Sequence, residues 1–239
     1  MTFTRHLVGT ALIILSSSAL PGTAEESSAA LGLTAEWIEV DLDILPSLLA
    51  KHGGNFDGKP LFEEITALLE AGKAERREVV YGRADFSTRM KIESIDELTY
   101  PTEYDPPEIP NVVTIQNATS DLVPRTAATP TAFETRNVGV TVEADPVLTE
   151  TGLIHLQMSA EEVEFHGRDY QVDPKSPDAE TVRGVWMPKF YTMKVTTSIH
   201  VKVDGTALVG TFKPSAPEKA GRRFLLFVHA KMIREQAAQ

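Results

Sequence analysis

The segment "MKVTTSIHVKVDGTALVGTF" at residues 193–212 decides the predicted fold. From Met193 to Val203 mostly apolar side chains alternate with polar ones, which is typical of a β-strand with one buried face. Asp204 and Gly205 follow, and an Asp-Gly pair tolerates the positive φ that a tight hairpin turn requires. The segment therefore predicts two long antiparallel strands that Asp204 and Gly205 join as a hairpin.

Neighbouring segments extend this pattern. Strand-like alternation recurs in "NVGVTVEADPV" (137–147) and in "GLIHLQMSAEEVEF" (152–165). The segment "RRFLLFVHAKMI" (222–233) is apolar on both faces and predicts a buried strand. Between them, residues 167–188 are polar and rich in turn residues, which predicts a long excursion. Together these segments predict an antiparallel β-domain of long hairpins over residues 137–239.

The first half of the chain has a mixed pattern. Residues 34–42 alternate as a strand, and "ILPSLLAKHGG" (44–54) is typical of a short helix closed by glycine. The segment "KPLFEEITALLEAGKA" (59–74) carries an apolar stripe at helical spacing and predicts a second helix. From residue 76 to residue 98 the apolar period shifts towards two. We expect a small α/β unit over residues 34–98, so the predicted fold class is α+β and mainly β.

The N-terminus has the pattern of a signal peptide. Arg5 precedes a short apolar stretch, and small residues lead to a plausible cleavage point after Ala24. We therefore expect residues 1–24 to be removed, residues 25–33 to form a flexible arm, and the protein to be exported. The chain has no cysteine, so it forms no disulfide and carries no lipid on cysteine.

Charge excludes one class of partner. The 239-residue chain has a formal net charge of −11, and removal of the predicted signal peptide, whose only charged residue is Arg5, makes it −12. An acidic chain without a basic stripe repels phosphate backbones, so nucleic acid is not an expected partner.

A proline-rich stretch separates the two halves. Residues 100–110 read "YPTEYDPPEIP", and each proline removes a backbone donor that a helix interior or a central strand needs. We interpret residues 99–136 as a stiff strap, with Pro101, Pro106 and Pro107 as the residues that hold its direction.

The sequence contains little that points to chemistry. The six histidines have no paired metal spacing, and neither a hydrolase motif nor a phosphate-binding glycine loop is present. No catalytic residue, cofactor-binding residue or metal ligand is therefore predicted, and the protein is expected not to be an enzyme. The loop 53–64 has part of an EF-hand spacing, but Gly53 stands where the first aspartate belongs, so calcium binding there stays open.

An alternative function rests on aromatic residues. Tyr170, Trp186 and Tyr191 lie in or beside the predicted excursion, and exposed aromatic rings can stack on sugars. Under this hypothesis the protein is a monomeric periplasmic β-domain that binds a ligand or a cell-wall component.

The order of these segments resembles the secretin domain, the β-rich C-terminal domain of outer-membrane channels in type II and type III secretion and type IV pilus systems. "NVGVTVEADP" is similar to the secretin motif Val-Gly-Val-Thr-Leu-x-Val-x-Pro, and "KVTTSIHVKVDGTALVG" to Thr-x-Val-x-Val-x-Asp-Gly-x-x-Val-x-Gly-Gly. The resemblance covers roughly residues 34–233. It implies a non-enzymatic envelope protein built like a secretin protomer, with Gly139 as a hinge or close-approach point in the strand that forms the gate in the family.

Two departures from the family pattern limit what the resemblance implies. Secretins carry ring domains before this region, whereas only about ten arm residues precede Thr34 here, and the second glycine of the Gly-Gly motif is Thr211. The membrane-dipping lip of secretins would fall in "KPSAPEKAGRR" (213–223), which is short and charged. The resemblance therefore implies a truncated secretin-like protein that resides in the periplasm or outer membrane. It would associate through β-strands, either with itself as a ring or with other envelope and secretion components, and its association with the outer membrane stays open.

Overall fold

The computed structural model describes residues 29–106, 108, 127–170 and 185–234. These residues form eight β-strands and two α-helices, in the following order: β1 (Ala29–Asp41), α1 (Leu45–His52), α2 (Lys59–Glu70), β2 (Ala74–Asp85), β3 (Met90–Asp105), β4 (Thr129–Leu148), β5 (Leu153–Tyr170), β6 (Trp186–Lys202), β7 (Gly205–Phe212) and β8 (Arg222–Arg234). The predicted signal peptide, residues 1–24, lies outside the described residues. None of the helices among these residues has the length and apolar character needed to cross a membrane.

The described strands form two antiparallel sheets of four strands each. Sheet A has the order β2-β1-β8-β7, and sheet B has the order β3-β4-β5-β6. The chain passes from sheet A to sheet B at residues 86–89, and it returns at residues 203–204. The fold is mainly β, with long hairpins and two short helices near the N-terminus, so the predicted fold class is confirmed.

Apolar side chains of both sheets meet in the main core. Trp37 of β1, Leu156 of β5 and Leu226 of β8 are almost completely buried there. Each such side chain contributes on the order of 2–3 kcal/mol through removal of apolar surface from water. Buried and partly exposed side chains alternate along β4, because every second residue, including Val140, Val142 and Ala144, points into this core.

The two helices cover the other face of sheet A. Leu48 of α1 and Ile65 of α2 pack against Ile38 of β1 and Phe227 of β8 in a second core. Strands β1 and β8 are therefore buried on both faces, which confirms the prediction of a buried strand at residues 222–233. The chain has three layers along this part of its length: helices, sheet A and sheet B.

Strand β1 begins earlier than expected. It starts at Ala29, so residues 29–33, predicted as part of a flexible arm, are strand instead. Leu31 and Leu33 point into the main core and are fully buried. The opposite face has Gly32, over which the side chains of Tyr81 and Ile233 lie. Burial on both faces hides the polar alternation by which a strand is recognised in sequence.

Strand pairing crosses the predicted domain boundaries. Strand β1, from the predicted α/β unit, lies between β2 and the C-terminal strand β8. Residues from the beginning and the end of the chain therefore share sheet A. The predicted division at residues 98 and 137 does not coincide with the layers of the fold.

Part of the predicted strap is strand as well. Strand β3 continues to Asp105 and β4 begins at Thr129, so the prolines do not keep this region out of a sheet. Pro101 lies in β3, at the edge of sheet B, and pairs with Phe133 of β4. The register between the two strands shifts immediately after Pro101. An edge strand and a bulge are the positions at which a sheet tolerates proline. Pro106 follows the strand and is exposed, whereas Pro107 lies outside the described residues.

The prediction that Asp204 and Gly205 join two paired strands as a hairpin is wrong, because the strands on either side of this turn do not pair with each other. The chain does turn here, and Asp204 has a φ of 56°. However, β6 belongs to sheet B and β7 belongs to sheet A, where β7 pairs with β8. The turn therefore connects the edge strand of sheet B to the edge strand of sheet A. The positive φ that Asp204 adopts suits this connection as it would suit a hairpin.

Gly205 is the position at which this connection is most sensitive to substitution. A Cβ atom there would lie 2.8 Å from the carbonyl oxygen of Lys202 and 2.9 Å from its Cβ. Both distances are shorter than ordinary contacts, so replacement by a β-branched residue forces the backbone to move. We expect Gly205→Val to lower the free energy of unfolding by about 1–3 kcal/mol, as measured by urea denaturation.

Gly54→Val is the matched control, because a Cβ at Gly54 would meet no atom within 4 Å. We expect this control to unfold close to the wild-type midpoint. Equal midpoints for the Gly205→Val variant and wild type would contradict the role of Gly205.

Candidate functional site: the fork and its two ribbons

Sheet B divides into two ribbons at one register position. Strands β4 and β5 pair from Leu148↔Ile154 to Gly139↔Val163, and their pairing ends there. Beyond this point β3 remains paired with β4 as far as Asp105↔Thr129, and β5 with β6 as far as Tyr170↔Trp186. We call the Gly139↔Val163 position the fork. The β3–β4 ribbon comprises residues 96–105 and 129–138, and the β5–β6 ribbon comprises residues 164–170 and 186–191.

Gly139 has a backbone conformation that favours glycine. Its φ is 125°, and a Cβ atom at this position would overlap the carbonyl oxygen of Ser94 on β3. Both features disfavour every other residue type. Sequence analysis therefore singled out a residue that lies at the fork, where the backbones of β3 and β4 approach each other closely.

The two ribbons contact each other through side chains. The Tyr104 hydroxyl donates to the carbonyl oxygen of Trp186 at 3.1 Å and accepts from its backbone N–H at 3.2 Å. Arg136 lies with its guanidinium 4.7 Å from the ring centre of Phe190 and donates to the Thr192 hydroxyl at 2.9 Å. These contacts hold the ribbons near each other although no backbone hydrogen bond joins β4 to β5 along them.

A groove of about 490 Å³ lies at the fork, on the outer face of sheet B. Its apolar residues are Ile95 and Val163, and the Tyr100 ring also lines it. Glu93 and Glu161, which line it as well, are paired with lysines at 2.8 and 2.7 Å. The two carboxylates of the groove are thus compensated within the chain, whereas Arg136, which also lines the groove, lies over the Phe190 ring.

Large apolar side chains are exposed along both ribbons. Phe133 is 58% exposed, and Phe165, Tyr170 and Met187 are exposed as well. Exposed side chains of this size on a two-stranded ribbon leave apolar surface in water, which is typical of a surface that meets another protein.

On the inner face, beside the fork, lies a carboxyl group with a shifted pKa. Glu162 follows Met158 and Ala160 on the face of β5 that points between the sheets, and its Oε2 is buried without a hydrogen-bond partner among the described residues. Burial, and then the nearby charge of Glu164, raise the pKa of Glu162 to about 7, although Arg77 opposes the shift. Sequence analysis did not single out Glu162. The period of two in a strand, which places one of two neighbours inside, is the signal that could have identified Glu162.

Side chains near Glu162 attach the β5–β6 ribbon to the connection between β7 and β8. Ser215 of this connection lies 2.9 Å from Nε2 of His166, and His166 lies 2.8 Å from the Glu164 carboxylate. The Tyr191 hydroxyl donates to the carbonyl oxygen of Lys213. The base of this ribbon is therefore held against sheet A, and the carboxyl of Glu162 lies within that junction.

The three aromatic residues of the alternative hypothesis do not share one cavity. Tyr170 and Trp186 are register partners at the end of the β5–β6 ribbon, and Arg168 lies 4.4 Å over the Trp186 ring. Tyr191 bonds to the β7–β8 connection at the base of the ribbon. None of the three lines the groove at the fork. The strands include residues 167–170 and 186–188, so the predicted excursion is shorter at both ends than expected, and residues 171–184 lie outside the described part.

A hydroxyl, an imidazole and a carboxylate lie in a row on the helix-covered face of sheet A. The Thr206 hydroxyl is 2.9 Å from Nδ1 of His229, whose Nε2 is 3.3 Å from a Glu36 oxygen. The pKa of Glu36 is lowered, chiefly by His229 and also by Arg76. Thr206 is buried and Glu36 is already paired with Arg76 at 2.7 Å, so this row stabilises the junction of β1, β7 and β8.

The fold has coarse similarity to the β-domains of secretins. It is similar to the InvG secretin domain β-barrel from the Salmonella SPI-1 injectisome, with a TM-score of 0.40 and 10% identity, covering 89% of this chain and 64% of that one. It is also similar to the ETEC pilotin–secretin complex AspS–GspD, with a TM-score of 0.40, 9% identity and coverage of 87% and 49%. The type II secretion system secretin GspD of E. coli K12 gives a TM-score of 0.38, 12% identity and coverage of 87% and 48%.

The chain spans about half to two thirds of the length of these three structures. No family model matches the sequence, and no curated protein matches it. Similarity of this degree assigns neither a family nor a role to any residue.

Glu162 makes stability depend on pH in a defined direction. Its pKa rises from 4.5 to about 7 on folding, so the folded state holds the proton more tightly than the unfolded state. The stability associated with the protonated carboxyl is complete below about pH 4.5 and is lost as the pH rises through about 7. We expect Glu162→Gln, which cannot ionise, to be more stable than wild type by about 1–2 kcal/mol above pH 7, with the difference vanishing at low pH.

Urea midpoints measured across this pH range test the expectation. The matched control is Glu161→Gln, because Glu161 is the neighbouring residue on the outer face, paired with Lys194. Parallel pH profiles for Glu162→Gln and wild type would show that the buried carboxyl does not set the pH dependence.

Proposed function

We propose that this protein is a non-enzymatic, secretin-like envelope protein that acts in protein secretion or in pilus-type outer-membrane machinery. It assembles through β-strands, either with copies of itself as a ring or with another envelope component. The observation that carries the proposal is the fork, beyond which two long ribbons extend with strand edges that no other described strand covers.

The unpaired edges are the physical basis for assembly. Along each ribbon the backbone groups of one strand pair only on one side, since the described strands provide no partner for β4 before Gly139 or for β5 after Val163. A row of unpaired N–H and C=O groups is a template for addition of another strand. Each added strand gains backbone hydrogen bonds without any change in the sandwich that supports the ribbon.

Exposed apolar side chains on the same ribbons favour this interpretation. Phe133 on the β3–β4 ribbon and Met187 on the β5–β6 ribbon lie on segments with exposed edges. Strand addition would bury such side chains against the neighbouring chain and so add a hydrophobic contribution to the hydrogen bonds. The sequence motifs around Gly139 and around Asp204 give the proposal its secretin-like character.

Sizing of the mature chain tests the proposal. We expect residues 25–239 to elute as an oligomer in aqueous buffer or in mild detergent by size-exclusion chromatography with light scattering, and to form rings or strand-linked assemblies by electron microscopy. The double variant Phe133→Glu/Met187→Glu should shift the population towards monomer, because two carboxylates would be buried at the contact.

Val147→Glu is the matched control. Val147 is an exposed apolar residue of β4, but it lies near the turn to β5, at the opposite end of the strand from the ribbon. We expect this control to assemble like wild type. A wild-type chain that stays monomeric in both media, or a ribbon variant that assembles like the control, would overturn the proposal.

A further inference from the structure

Strand register places two histidines side by side on the outer face of sheet B. His155 of β5 and His200 of β6 are direct partners in the antiparallel pair. Their rings lie with centroids 4.8 Å apart and planes inclined by 36°. Ile154, Leu156 and Val201, the chain neighbours of these histidines, are buried in the core, so both imidazoles point away from it.

A hydrogen bond orients one of the two rings. Nε2 of His155 lies 2.6 Å from the hydroxyl oxygen of Ser198, which is two residues before His200 on the same face of β6. Histidines that bind metals commonly bond one ring nitrogen to a protein group while the other nitrogen binds the metal. In His155 this arrangement leaves Nδ1 as the nitrogen that would face a cation.

We propose that His155 and His200 form a two-histidine site for a divalent transition-metal cation of the zinc, copper or nickel class. Imidazole nitrogen suits these metals, at about 2.0–2.1 Å from zinc, whereas calcium and magnesium prefer oxygen ligands. Two rings at this separation can direct one nitrogen each towards a single cation through small side-chain rotations. Water or donors from another molecule complete the coordination.

The charged surroundings are compatible with a cation. On the same face, the neighbours along β5 and β6 are Leu153, Gln157, Ser198 and Lys202, and Val147 of β4 is the other register partner of His155. The Lys202 ammonium is 3.0 Å from the Asp57 carboxylate. The chain as a whole has a net charge of −11, which attracts cations to its surface. The site has only two histidines, in keeping with the absence of any group of three or more metal-type ligands in the described part of the chain.

This site does not depend on the proposed assembly function. It lies on the body of β5 and β6, below the fork, whereas the ribbons begin beyond Val163. The sequence did not predict it because the two histidines are on different strands, and only their register brings them together.

Isothermal titration of the untagged mature protein with zinc, copper or nickel salts tests the site. We expect one cation per chain for wild type. Either His155→Ala or His200→Ala should weaken binding on the order of a hundredfold, because the second ligand then no longer acts at a high effective concentration. Ser198→Ala should weaken it about tenfold, through loss of ring orientation.

His166→Ala is the matched control, since it removes another partly exposed imidazole that lies near Glu164 and Ser215. We expect it to bind the metal like wild type. Histidine ring signals in NMR spectra during zinc titration give a second measurement, in which the rings of His155 and His200 should shift together. Absence of binding by wild type, or unchanged affinity in both single-histidine variants, would overturn the proposal.

Discussion

The structure depends on the point at which β4 and β5 stop pairing. At Gly139 the β4 backbone takes a φ of 125°, and the Ser94 carbonyl of β3 occupies the space in which any larger residue would place its Cβ. Before this residue β4 keeps only its pairing with β3, and after Val163 strand β5 keeps only its pairing with β6. One four-stranded sheet thus becomes two ribbons, and backbone groups that would pair inside a sheet become available at ribbon edges.

Such ribbons need a rigid base, and the two sheets provide it. Strand β1 is buried on both faces and lies between β2 and β8, so the first and last strands of the chain support each other. At the end of β1, the nearly buried carboxylate of Glu39 pairs with Lys219 and Arg222 at 3.0 Å each, which attaches the β7–β8 connection to sheet A. Since Ser215 of that connection also contacts the β5–β6 ribbon, the direction of the ribbon is set by the sandwich as well as by the fork.

The sequence predicted the central parts of most strands, but neither all of their ends nor their partners. Alternation predicted β4 and β6 because each has one buried face, and this property is local. The turn at Asp204 and Gly205 satisfies the same dihedral requirement whether the next strand pairs with β6 or enters the other sheet, so local chemistry could not distinguish the two. Pro101 was excluded from central strands correctly, yet the rule leaves edge strands open, and β3 is one.

The candidate site residues also differ in whether a local pattern in the sequence identifies them. Gly139 was identifiable because a glycine inside a strand pattern indicates a close approach of backbones. Glu162 was identifiable as well, through the period of two in β5, because it follows Met158 and Ala160 on the inner face. The histidine pair was not identifiable, since the β5–β6 register alone brings His155 and His200 together. Contacts of this kind are fixed by the sheets, and no pattern within one segment contains them.

The charges on the ribbons bear on the assembly that we propose. The described ribbon residues include more acids than bases, with Asp96, Glu97, Glu103 and Asp105 on β3 opposed mainly by Arg136 on β4. Identical ribbons placed side by side would bring these like charges together, at a cost that falls as salt screens them. A partner with basic side chains along an extended segment would gain from the same charges. In self-assembly, the favourable free energy therefore comes from backbone hydrogen bonds and from burial of the exposed aromatic residues, and repulsion between the acidic side chains opposes it. With a basic partner, the electrostatic contribution to binding would be favourable instead.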